Sequence, residues 1–116
     1  MTQSDIAFIA RSFPGVIETP HREVMHAFKT GGRIFATLNP RHQRCCLRLS
    51  EVDQSVFSGI DPEHIHPVPK AWGRYGWTLF YYEHLDPELL QDALRCAFLN
   101  MASVKWATKL DRDHYQ

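Results

Sequence analysis

Residues 23–49, EVMHAFKTGGRIFATLNPRHQRCCLRL, alternate apolar and polar side chains with a period of two, and turn chemistry breaks them twice. Gly31-Gly32 supplies the positive-φ positions that a tight hairpin needs. Asn39-Pro40-Arg41-His42 makes a second turn. The stretch therefore predicts three antiparallel strands, over 23–29, 33–38 and 43–49. In the third, Cys45, Leu47 and Leu49 share one face and Arg44, Cys46 and Arg48 the other. In the second, Ile34, Ala36 and Leu38 alternate with Arg33, Phe35 and Thr37. A meander with one apolar face and one arginine-bearing face belongs to a sheet covered on one side only.

Upstream, Thr2 or Ser4 caps a helix whose Ile6, Ile9, Ala10 and Phe13 form one apolar stripe, ended by Pro14-Gly15. A loop through Thr19-Pro20 leads into the first strand. Downstream, Ser50 caps a short helix over 51–59, with Gly59 as its stop. Residues 60–76 are rich in Pro and Gly and read as an extended loop. WTLFYY, residues 77–82, is a strand by its aromatic and β-branched content. Asp86 and Pro87 start a long last helix with Leu90, Leu94, Phe98 and Ala102 in one row and Ala93, Ala97 and Met101 in the next. That helix continues or kinks near Ser103-Val104, with Trp106 and Leu110 on the same side. The order α-β-β-β-α-β-α predicts an α+β two-layer sandwich, a mostly antiparallel sheet with helices on one face. Residues 1–110 form a single domain, and 111–116 a polar tail expected to fray.

The formal net charge is zero, which counts against a nucleic-acid binder driven by bulk charge but leaves room for local patches. The N-terminus lacks the basic and apolar regions of a signal peptide, and no apolar run approaches the ~20 residues of a membrane span, so no membrane partner is expected. Cys45, Cys46 and Cys96 are odd in number and form no CxxC pair, which predicts free thiols and a cytoplasmic location.

Four segments in order, FPGVIETP (13–20), AFKTGGRIFATL (27–38), HPVPKAWGRYGWTLF (66–80) and LDPELLQDALRCAF (85–98), resemble the MmcQ/YjbR family. The resemblance spans roughly Phe13 to Ala107. It implies a small, single-domain bacterial protein with a CyaY-like, double-wing α+β fold, and DNA as a partner. It implies no catalytic residue. Arg33 stands where the family hairpin usually has lysine, which keeps the charge but changes the hydrogen-bonding geometry.

Two groups of residues are candidates for contact with nucleic acid. On the predicted strands, Arg33, Arg44 and Arg48 form a cationic stripe with Lys29 and Arg41 at the hairpin ends, suited to phosphates. In the loop, Trp72 and Tyr75 lie beside Lys70 and Arg74, an arrangement that can stack bases and neutralise phosphates. The bland alternatives are a solvated arginine face and a Trp72 folded over the sheet edge. Trp77, Leu79 and Tyr81 are expected to pack against the last helix. His64, His66 and His84 lack the spacing of a zinc site, so neither metal nor cofactor is expected. No GxSxG, HExxH, P-loop or dinucleotide-binding turn is present, so the chain reads as a non-enzymatic binding protein, with a monomer favoured. DNA is the first partner. The alternatives are a protein-interaction module using the open sheet face, or a small-molecule pocket between the last helix and residues 67–76.

Overall fold

The computed structural model describes residues 1–115, and the side-chain environments of residues 1–110. Its strands are β1 (Ile17–His21), β2 (Met25–Thr30), β3 (Arg33–Asn39), β4 (Arg44–Arg48), β5 (Ile65–Pro67) and β6 (Trp77–Phe80). They form one sheet in the order β1-β2-β3-β4-β6-β5, with every pair antiparallel. The helices are α1 (Gln3–Ser12), α2 (Glu51–Ile60), a single turn α3 (Ala71–Arg74), α4 (Pro87–Met101) and α5 (Val104–Tyr115). None is long and apolar enough to cross a membrane among the described residues.

The helices α1, α2 and α4 each begin where a cap residue dictates. The Thr2 hydroxyl accepts from the Asp5 amide while the Asp5 carboxylate accepts from the Thr2 amide, a reciprocal box that starts α1. Ser50 caps α2 through the Asp53 amide, and Asp86 caps α4 through the Glu88 amide ahead of Pro87.

All three pack on the same side of the sheet. Phe13, just past α1, stacks on Phe98 of α4 at 4.9 Å, and both meet Phe35 of β3 edge-on. Phe57 of α2 meets Phe80 of β6 in the same manner. Ala36, Leu38, Cys45, Leu47, Phe80 and Ile65 complete the core on that face, as the cross-strand pairs Leu38–Cys45, Cys45–Phe80 and Ile65–Phe80 require. The α+β architecture with helices on one face is therefore the one expected from the sequence.

Several details differ from that expectation. The segment read as a loop through Thr19-Pro20 is edge strand β1, where Pro20 is tolerated because an outer strand can spare an amide. Residues 65–67 of the presumed extended loop form β5 on the opposite edge, and residues 71–74 a helical turn. Gly59 does not stop α2, which runs to Ile60. The last strand ends at Phe80, followed by a 3-10 turn over Tyr82–His84. The last helix breaks at Ala102, and α5 lays the Trp106 ring against Gly15, where any Cβ would collide with it. The stretch read as a polar tail from Asp111 is helical through Tyr115, and Gln116 lies outside the described residues.

One irregularity bears directly on function. Between β2 and β3 the pairing shifts from Phe28–Ala36 to Lys29–Ile34, so Phe35 is an extra residue in β3. The alternation of β3 is broken there. Phe35 joins Ala36 in the core, Ile34 turns to the open face beside Lys29, and Arg33 lies opposite the buried Thr30 on the helix side. The expected grouping of Arg33, Phe35 and Thr37 on one face is thus corrected.

Candidate functional site

The face of the sheet away from the helices is built from alternate residues of each strand. Cross-strand pairing places on it Ile17, Thr19 and His21 of β1, then Met25, Ala27 and Lys29 of β2. It adds Ile34 and Thr37 of β3, Arg44, Cys46 and Arg48 of β4, Trp77 and Leu79 of β6 and His66 of β5. The charged side chains in that set are Lys29, Arg44 and Arg48, and none of the chain's carboxylates is among them. Zero net charge therefore conceals a segregated surface. Glu18, on β1, faces the helix side, where it holds Arg11 and His26 at 2.8 Å each.

Trp77, Leu79 and Tyr81 do not pack against the last helix, as had been expected. β6 turns Thr78 and Phe80 inward instead. Thr78 tolerates complete burial because its hydroxyl donates to the Gly76 carbonyl and accepts from the Gln54 amide. Trp77 and Tyr81 are thereby left half-buried outside, each with an arginine of β4 over it. The Arg48 guanidinium carbon lies 5.9 Å from the Trp77 ring centre, and its Nε donates to the Tyr75 carbonyl at 3.2 Å. That of Arg44 lies 6.0 Å from the Tyr81 ring centre, with a hydrogen bond to the phenol oxygen at 3.2 Å. These distances are at the outer limit of a cation–π contact, roughly 6 Å. The His66 ring flanks Tyr81 at 5.8 Å. Arg44 and Arg48 are four residues apart in one strand, so the two couples lie about 14 Å apart at ~3.4 Å per residue. Cys46 sits between them, and burial pushes its thiol up to about 12 although Arg44 pulls it down.

At the end of the sheet where β3 starts and β4 finishes, a cleft of about 380 Å³ opens. It is lined by Arg33, Arg48, Arg74, Tyr75 and Glu51, with Gln54 and Asn100 among its walls. The walls are fixed by hydrogen bonds. Gln54 donates to the Gly73 carbonyl at 2.9 Å, and Asn100 donates to the Arg48 carbonyl at 3.1 Å. Gly76, at φ +100°, lets its backbone lie directly against the Leu49 carbonyl, where a Cβ would collide. The cleft occupies the place named for a small-molecule pocket, between the long helix and residues 67–76, and arginines dominate its charged lining.

The structure thus divides the residues singled out from sequence. Lys29, Arg44 and Arg48 share the open face, while Arg33, Arg48, Arg74 and Tyr75 share the cleft. Arg41 belongs to neither group: it lies in the 3-10 turn after β3, at the opposite end of the sheet, and pairs with Glu23 at 3.4 Å. Lys70 precedes α3 with a positive φ of 66°. Trp72 and Tyr75 project into solvent, each 62% exposed, so Trp72 does not fold over the sheet edge. Among the described residues no group of three His, Cys, Asp or Glu side chains could hold a metal ion. His64 stacks on His84 at 4.5 Å, and its contact with Asp61 at 3.0 Å holds that carboxyl below the usual range. Sequence reasoning missed Trp77 and Tyr81 as surface residues and Gln54 and Asn100 as wall residues. The alternation of β4 was the available signal for the first pair.

No curated protein matches the sequence. The fold is similar to the crystal structure of the Deinococcus radiodurans protein DR2400, which carries a DUF419 domain. The TM-score is 0.76, at 20% identity, covering 95% of this chain and 88% of that one. The sequence model of the YjbR family matches residues 11–100. All six strands and the cleft-bearing arginines fall within that span, and the chain belongs to the YjbR family.

Proposed function

We propose that this chain is a non-enzymatic, cytoplasmic nucleic-acid-binding protein whose contact surface is the helix-free face of the sheet, with DNA in unpaired form as the first ligand. The observation that carries the reading is the composition of that face: its charged side chains are all cationic, and two aromatic–arginine couples stand on it. Lys29, Arg44 and Arg48 suit phosphates, and Trp77 and Tyr81 suit base faces, which a single strand offers and a duplex hides. The free thiols of Cys45, Cys46 and Cys96 support a reducing compartment.

The test is fluorescence anisotropy of labelled single-stranded and duplex DNA at low and near-physiological salt. Salt-sensitive binding of the single strand, weakened by Trp77→Ala and by Arg44→Gln, is the expected result. Absence of binding even at low salt would remove the reading.

A further inference from the structure

The cleft at the sheet end has features that the open face does not use. Three guanidiniums, Arg33, Arg48 and Arg74, line it against one carboxylate, Glu51, leaving a formal charge of +2. Neither Arg33 nor Arg74 has an ion-pair partner among the described residues. Arg48 uses only its Nε, on Tyr75, so its two terminal nitrogens remain available. The amides of Gln54 and Asn100 are already engaged in holding the walls, which leaves the guanidiniums as the charged donors for a ligand.

Gathering three like charges around one cleft costs repulsion that folding alone does not require. An anion of matching charge removes that cost. A phosphodiester carries one negative charge, whereas a phosphate monoester carries about −1.5 to −2 at pH 7, with three oxygens for charge-assisted bonds. The cleft volume lies at the lower end of the roughly 300–1,000 Å³ typical of small-ligand sites.

We propose that the Arg33–Arg48–Arg74 cleft binds a phosphate monoester, carried either at the end of a nucleic-acid strand or on a mononucleotide. The strand-end form rests on the proposed function, because Arg48 and Trp77 lead from the cleft onto the open face. The mononucleotide form stands without it.

The experiment compares oligonucleotides of one sequence bearing 5′-phosphate, 3′-phosphate or hydroxyl ends. Alongside them, a nucleoside monophosphate is compared with its nucleoside by calorimetry. The wild type and the double variant Arg33→Gln/Arg74→Gln are both measured, the latter after its thermal unfolding has been shown to match the wild type. A preference of at least about tenfold for a monoester, lost in the variant while hydroxyl-ended strands bind as before, is the expected result. The arm that shows the preference identifies the source. Equal affinity with and without the monoester in every arm would overturn the proposal, as would a preference that survives in the variant. Binding of hydroxyl-ended strands with no monoester preference in either arm would leave the open-face reading intact and discard the cleft. Binding of the monophosphate without any strand binding would do the reverse.

Discussion

Replacing Arg44 and Arg48 together by glutamine should flatten the salt dependence of strand binding by a calculable amount. Both project from β4 onto the helix-free face, with Lys29 as the third cation there. A single strand that neutralises its phosphates on three cations releases counterions with a log–log slope of about −0.7 per contact, or about −2 in total. Between about 50 and 200 mM salt that slope costs roughly twentyfold in affinity. The double variant keeps Lys29 alone, so its slope falls to about −0.7 and its loss over the same range to about threefold. The fold should survive, because the Arg44 and Arg48 side chains contribute one hydrogen bond each and an outlying ring contact, worth about 1 kcal/mol apiece. The assay is anisotropy of a labelled, hydroxyl-ended strand across a salt series, with Arg41→Gln as control. Arg41 is paired with Glu23 at the far end of the sheet, so its loss should leave the slope unchanged. A double variant with the wild-type slope, or a control that alone flattens it, would refute the assignment of phosphates to this face.

Other consequences concern the scaffold. Phe98→Ala should cost about 3–5 kcal/mol in denaturant unfolding, because the ring is fully buried between Phe13 and Phe35, whereas Trp72→Ala on the exposed turn should cost less than about 1. Gly76→Ala should lose at least about 2 kcal/mol, since its φ of +100° and its contact with Leu49 both exclude a Cβ. The Cys45 and Cys46 thiols, raised by burial, should alkylate slowly near pH 8 in the folded protein and quickly once it is unfolded, read by mass spectrometry. Fast labelling of Cys45 in the native state would contradict its burial beneath the helices.

Alternation was a sound guide where nothing interrupted it. β4 reads Arg44, Cys46 and Arg48 outward and Cys45 and Leu47 inward, as its pattern dictates. It failed in β3 because the bulge at Phe35 inserts a residue that a period-two reading cannot detect, and this carries Arg33 to the helix side. It failed in β6 because WTLFYY is apolar or aromatic on both faces. The one small polar residue, Thr78, is inside, where Gln54 and the Gly76 carbonyl satisfy it. The outer strands β1 and β5 contain Pro20 and Pro67, and proline hides an edge strand from propensity. The cleft joins residues distant in sequence, Arg33, Arg74 and Asn100, and no local pattern announces that meeting.

The central claim is that the helix-free face meets nucleic acid, and the three tryptophans report on it separately. Trp77 stands on that face, Trp72 on the exposed turn, and Trp106 against Gly15 on α5. The deciding measurement is an NMR titration of the labelled protein with a short single-stranded oligonucleotide, following the three indole Nε1–H signals and the backbone amides. The account predicts that Trp77 and the amides around Lys29, Arg44 and Arg48 shift while Trp106 and the amides of α4 stay in place. Movement of Trp106 and α4 with Trp77 unmoved would contradict it.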